Sequence, residues 1–224
     1  MTDYGNPITS ARASMSEGSV ARLGLPVGER DHVQGPATAP VTLVEYGDYE
    51  CPYCRAAMPI VEELQQILGD QLRYVFRHFP LKALHPHAQH AAEAAEAAAA
   101  QGSFSEMHTA LFEHQEALGD DHLLQYAADL DLDAARIRRE LGAHSYASRV
   151  REDFESGLSS GVRGTPTFYL DDVRYDGLVG VRQILTAIQR AHPDVVSNGP
   201  EGQVGQRTIP RVVRQQSSFR PPPG

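Results

Sequence analysis

Two cysteines, Cys51 and Cys54, stand either side of Pro52 and Tyr53, and they are the only cysteines in a chain of 224 residues. An apolar, β-branched run, Val41-Thr42-Leu43-Val44-Glu45-Tyr46, leads into them, and Met58, Val61, Leu64 and Leu68 recur at helical spacing behind them. A helix that begins at the first cysteine aims its unpaired N–H groups and positive dipole end at that sulfur, which favours thiolate over thiol. Cys51 is therefore the expected nucleophile. The two intervening residues bring Cys54 back over the first turn, within reach of a mixed disulfide at Cys51, so Cys54 is the expected resolving thiol. Such a redox-active disulfide, Cys51–Cys54, needs no metal and no organic cofactor.

Three other readings of the pair carry less chemistry. A purely structural disulfide closing so short a loop restrains the unfolded chain little, and a chain of this length builds a core without it. A zinc half-site needs two more ligands, which only histidines such as His78, His85, His87 and His90 offer, and none has a partner at matching spacing. Coincidence is weighed by context: C-x-x-C beside a strand-helix-strand pattern reads as a redox motif.

The formal net charge of −9 and the lack of a basic stripe argue against nucleic acid as a partner. No segment approaches the apolar length of a membrane span. Met1 to Gly24 has no apolar run and carries Asp3 before its first arginine, so it does not resemble a secretory signal, and the expected location is cytoplasmic. Two cysteines confined to one motif fit a reducing compartment; a periplasmic or secreted location is the expectation if a signal has been removed.

Residues 1–30 lack a sustained period and read as an irregular arm. Asp31-His32-Val33 suggests a short edge strand, Val41–Tyr46 a central strand, and Leu72–Arg77 a second strand parallel to it across the cysteine helix. Residues 85–161 then carry helices only. Pro86 suits a first helical position, Ser103 and Glu106 suggest a capping box, and Asp121 and Asp131 suggest helix starts. A last helix of this block runs from about His144 to Ser159 with Tyr146, Val150, Phe154 and Leu158 on its packed side. Thr167–Leu170 and Val173–Tyr175 make a hairpin about Asp171-Asp172, Val181–Ala191 a closing helix, and residues 194–224 a disordered tail.

The segments VTLVEYGDYECPYCR (41–55), FRHFP (76–80), HPHAQHAAEAA (85–95) and GVRGTPTF (161–168), in this order, resemble bacterial DsbA-like thiol–disulfide oxidoreductases of the thioredoxin superfamily. The resemblance covers about residues 31–192. It implies an α/β thioredoxin-like fold with a mixed central sheet, built from residues 31–84 and 162–193, and an inserted helical domain at 85–161. It also implies a cis-proline loop at Thr165-Pro166 beside the cysteines, offering the backbone of Thr165 to an extended substrate peptide. Pro52, Tyr53, Thr165 and Pro166 are thus the expected substrate contacts. Glu45 matches the acidic position that the family keeps beneath its cysteines, where burial would raise its pKa and let it relay the proton of Cys54.

One position departs from the best-known oxidases of the family. They carry histidine where this chain has Tyr53, and a phenol supplies no positive charge to a thiolate. A milder oxidant follows, between about −270 and −120 mV. The expected activity is disulfide exchange with protein dithiols or disulfides, or with a small-thiol system. The alternative is a peptide- or client-binding module with incidental cysteines.

Overall fold

The computed structural model describes residues 21–197, which build one five-stranded sheet with helices on both sides. In chain order the elements are β1 (His32–Gln34), β2 (Val41–Gly47), α1 (Pro52–Leu68), β3 (Leu72–His78), α2 (Ala88–Ala99), α3 (Phe104–Glu113), α4 (Asp120–Asp129), α5 (Ala134–Gly142), α6 (Ala147–Ser160), β4 (Thr167–Leu170), β5 (Val173–Tyr175), α7 (Val181–Ala191) and α8 (Pro193–Ser197). The strand order is β1-β3-β2-β4-β5, with β2 parallel to β3 and antiparallel to β4. Among the described residues no helix is long and apolar enough to cross a membrane.

Every residue of β2 is buried, as expected of a strand covered on both faces. Alternation along β2 and β3 gives each face its own core. Val41, Leu43, Leu72, Tyr74 and Phe76 pack with Ala57, Val61, Leu64 and Leu68 of α1, while Val44, Tyr46 and Val75 pack with Phe79, Val162 and Tyr169 on the opposite face. The same alternation turns Glu45 toward the α1 side, next to Tyr74. The alanines of α2 are buried almost throughout, which lets α3, α4, α5 and α6 approach it closely.

Charged residues tie the helices and the first described residues to the sheet. Arg77 and Asp31 have side chains with no exposed surface. Arg77 Nε donates to Asp31 Oδ1 at 2.7 Å and Nη2 to Oδ2 at 3.0 Å, and its remaining donors reach the carbonyls of Leu25 and Pro26 and the hydroxyl of Tyr46. All five guanidinium N–H groups are thereby used. Asp153 of α6 accepts from Arg30 and from the backbone N–H of His78 at the end of β3, and forms an ion pair with Arg149. Glu96 of α2 accepts from His32 and His78.

Several local expectations change. Asp131 sits in the left-handed region at φ 57° in the turn after α4, and the cap of α5 is Asp133, whose carboxylate accepts from the N–H of Arg136 at 2.8 Å. Ser103 precedes α3, but its side chain makes no capping bond, and Pro86 lies in the turn before α2. The buried side of α6 holds Val150 with Asp153, Ser156, Gly157 and Ser160, leaving Leu158 exposed, because Asp153 must face the sheet to meet its cationic partners. Residues 193–197 are helical and bury Val195 in the main core, where a disordered tail was expected from 194. Of the expected arm and tail, residues 1–20 and 198–224 lie outside the described residues. Residues 21–23 pair with the β4–β5 hairpin, through Leu23 N–H to the Asp172 carbonyl and Arg174 N–H to the Ala21 carbonyl.

Candidate active site

Cys51 is the N-cap of α1 in extended conformation, and Pro52 takes the first helical turn, where its missing N–H costs nothing. The carbonyl of Cys51 accepts from the N–H groups of Cys54 and Arg55 and from the side chain of Gln115 at 2.9 Å. Gln115, between α3 and α4, also donates to the carbonyl of Tyr49 at 2.7 Å. The helical block therefore grips the backbone that presents the cysteines. Both are free thiols, with Cys51 3% and Cys54 1% exposed.

The two sulfurs are driven apart in acidity. A hydrogen bond from the Cys54 thiol, reinforced by Thr165 and the N–H groups of Cys54 and Tyr53, overcomes burial and lowers the Cys51 pKa to about 5. Burial, the bond to Cys51 and the negative charge of Glu45 push the Cys54 thiol well above its ordinary value. The Cys51 thiol donates to the Thr165 carbonyl at 3.3 Å, and the Thr165 hydroxyl is buried with no hydrogen-bond partner. The Thr165–Pro166 peptide bond is cis.

Glu45 is buried beneath the pair, and burial raises its carboxyl to about 7 against the opposing hydrogen bond from Tyr74, with the charge of Cys51 adding to the rise. Tyr74 donates its hydroxyl to Glu45 Oε2 at 2.7 Å. A cavity of about 50 Å³ touches Glu45, Cys54, Tyr74 and His108 and extends between Gln34, Met58 and Gln65. It is large enough for a water molecule.

The structure thus gathers Cys51, Cys54, Glu45 and Thr165. Tyr53 points outward, 74% exposed, and its hydroxyl has no hydrogen-bond partner among the described residues; Pro52 beside it is exposed too. The histidines that a zinc reading would need are dispersed: His78 bonds Glu96, His85 bonds Asp48 and His90 bonds Asp120. The group with ligand-like geometry among the described residues is His32, His78 and Glu96, without either cysteine. Sequence reasoning missed Tyr74 and Gln115, because one reads as an ordinary strand aromatic and the other as a loop polar residue until register and packing place them.

A family model described as thioredoxin matches residues 28–190. A thioredoxin-like oxidoreductase from Silicibacter pomeroyi DSS-3 is 31% identical, with a TM-score of 0.66 over 74% of this chain and 94% of that one. Oxidised BdbD from Bacillus subtilis is 26% identical, with a TM-score of 0.70 over 77% of this chain and 98% of that one. Among curated proteins, Na(+)/H(+) antiporter NhaA 3 of Salinispora tropica is 47% identical over 188 residues, 83% of this chain and 28% of the relative. The chain thus spans little more than a quarter of the length of that relative. On the matched residues and the architecture together, the chain belongs to the thioredoxin family, with the helix-inserted fold of its DsbA-like members.

Proposed function

We propose that the protein is a thiol–disulfide oxidoreductase whose Cys51–Cys54 pair exchanges two electrons with protein or small-thiol partners. The observation that carries this reading is the split between the sulfurs: Cys51 lowered to about 5 and Cys54 raised within one helical turn. A structural disulfide or an incidental pair has no need of such a split. Acting as a reductant, the Cys51 thiolate attacks a substrate disulfide, and the departing substrate sulfur takes a proton from water. Cys54 gives its proton to the Glu45 carboxylate and attacks the Cys51 sulfur of the mixed disulfide, releasing the second substrate thiolate. The dithiol becomes a disulfide and the substrate gains both electrons. Acting as an oxidant, the same steps run in reverse, with Cys54 reprotonated as it leaves. Neither direction calls for a metal or an organic cofactor.

Thr165 supports the substrate side. Its backbone lies against the nucleophile in the bend that precedes β4, where a peptide can add its own backbone hydrogen bonds. Pro52 and Tyr53 flank the sulfur as exposed apolar surface for the same peptide. In a reducing compartment a pair of intermediate poise stays as dithiol and reduces its partners; in an oxidising compartment it donates its disulfide.

Alkylation separates this reading from a client-binding module. Cys51 is expected to react with iodoacetamide along a curve with its midpoint near pH 5, while Cys54 stays inert throughout. Similar slow reaction of both cysteines with a midpoint above pH 8 would favour the binding module.

Glu45 carries a separate expectation. Glu45→Gln should slow resolution of a mixed disulfide at pH 7 by about 10²-fold, and its rate should lose the inflection near pH 7. The stability effect has the opposite sign. Folding raises this carboxyl from 4.5 to about 7, so the folded state binds its proton more tightly than the unfolded state, and stability is lost as pH rises across that window. By pH 8 the buried carboxylate costs about 3 kcal/mol, so the glutamine variant should be the more stable protein there, with the gap closing toward pH 4.5. Urea unfolding at the two pH values measures it.

A further inference from the structure

The motif lacks a cation between its cysteines, yet an imidazole from another part of the chain, His85, is tied through Asp48 to the backbone that presents Cys51. The segment between β3 and α2 folds back on the segment between β2 and α1. The N–H of Leu81 and Nδ1 of His85 both bond Asp48 Oδ2, at 2.7 and 2.8 Å, and the N–H of His87 bonds Glu50 Oε2 at 2.7 Å. Asp48 is the hinge of this contact. Its carbonyl accepts from the N–H of Cys51 at 3.1 Å, its Oδ1 accepts from the N–H of Glu50 at 2.8 Å, and its side chain has no exposed surface. A fully buried carboxylate calls for a positive partner, and among these donors only His85 can carry charge.

We propose that His85, fixed by Asp48 beside the cysteine pair, supplies the positive charge that stabilises the Cys51 thiolate, in place of a histidine within the motif. The inference rests on the assignment of Cys51 as nucleophile. His85 acts through its field, so it is a positioning residue and not a catalytic one. The charges around the ring are consistent with this. Burial works against its protonation, but the hydrogen bond and charge of Asp48, followed by the charges of Cys51 and Glu50, raise its pKa above the ordinary histidine value. On its own loop the neighbouring basic residues are Lys82 and His87. Because the coupling is mutual, whatever the thiolate does for His85 the imidazolium does for the thiolate. Oxidation to the Cys51–Cys54 disulfide removes the negative charge, so His85 should bind its proton less tightly in the oxidised protein than in the reduced one.

Two measurements test this. Thiolate absorbance against pH, in wild type and His85→Gln, should show the Cys51 inflection moving upward from about 5 by roughly tenfold in acidity, since a nearby opposite charge commonly has this effect. A tenfold shift corresponds to a reduction potential about 30 mV more negative. Glutamine keeps a donor for Asp48 Oδ2, and thermal unfolding monitors the fold. The second measurement needs no variant: the His85 ring titration, followed by NMR in wild type, should have its midpoint at higher pH in the reduced than in the oxidised state. An unchanged Cys51 inflection in folded His85→Gln, or equal His85 midpoints in both redox states, overturns the inference while leaving the oxidoreductase standing. If wild-type Cys51 ionises only above pH 8, together with Cys54, the nucleophile assignment falls and this inference with it.

Discussion

Cys51→Ser is expected to abolish disulfide exchange, by roughly 10³-fold or more, whereas Cys54→Ser is expected to leave a protein that attacks and then stops. The difference follows from the two environments. Of the two thiols only Cys51 is ionised at neutral pH, so Cys54 does not begin the reaction. Cys54 is buried and its pKa is raised, so it serves only once a mixed disulfide at Cys51 places an electrophilic sulfur within its reach. Turnover of a dithiol substrate and mass spectrometry of the products check both halves. Cys51→Ser should form no mixed disulfide, and Cys54→Ser should accumulate one at Cys51. Mixed disulfide at Cys54 in the first variant would reverse the assignment.

The second large effect is on stability. Arg77→Met should destabilise the fold by about 3–5 kcal/mol, because it leaves the Asp31 carboxylate buried without its charge partner. It also strips the carbonyls of Leu25 and Pro26 and the hydroxyl of Tyr46 of a donor. Against a total stability of about 5–15 kcal/mol, this would bring the protein close to unfolding. Removing both charges in Arg77→Met/Asp31→Leu should recover much of the loss, since the pair is costly to break but not costly to replace. Urea midpoints at pH 7 for the three proteins decide it. A loss below about 1 kcal/mol in the single variant would mean that the pair is solvated in solution.

The fold was legible where local pattern and tertiary demand agree. The continuous apolar run of β2, the 3.6-residue period behind Cys54 and the β4–β5 hairpin each state in sequence what the packed structure then uses. Cys51 and Cys54 stood out by type and spacing, whereas Glu45 entered only as what the family resemblance implied, and the structure places it buried beside Tyr74. The misses share a different physics. Arg77, Asp153, Glu96 and Asp48 are buried charges whose meaning lies in partners far along the chain, and a side chain's type does not name its partner. Tyr74 becomes a donor to Glu45 only through the parallel pairing that sets Leu43 opposite it. On α6 an apolar stripe misled, since the buried Asp153 rotates the helix so that Leu158 faces outward.

Tyr53 bears on redox poise more than on structure. Its exposed phenol supplies no charge to the thiolate, and the Cys51 value near 5 lies between the roughly 7 of thioredoxin and the roughly 3.5 of the strongest oxidase. An intermediate reduction potential follows, since a more stable thiolate favours the reduced form.

Equilibration of the purified protein against graded glutathione redox buffers, with the Cys51–Cys54 pair quantified by mass after acid quenching, tests the redox assignment most directly. A single two-electron transition between about −270 and −120 mV is the expected result. A pair that shows no transition across the buffers, or one with a midpoint at or above the oxidising end of that range, would contradict it.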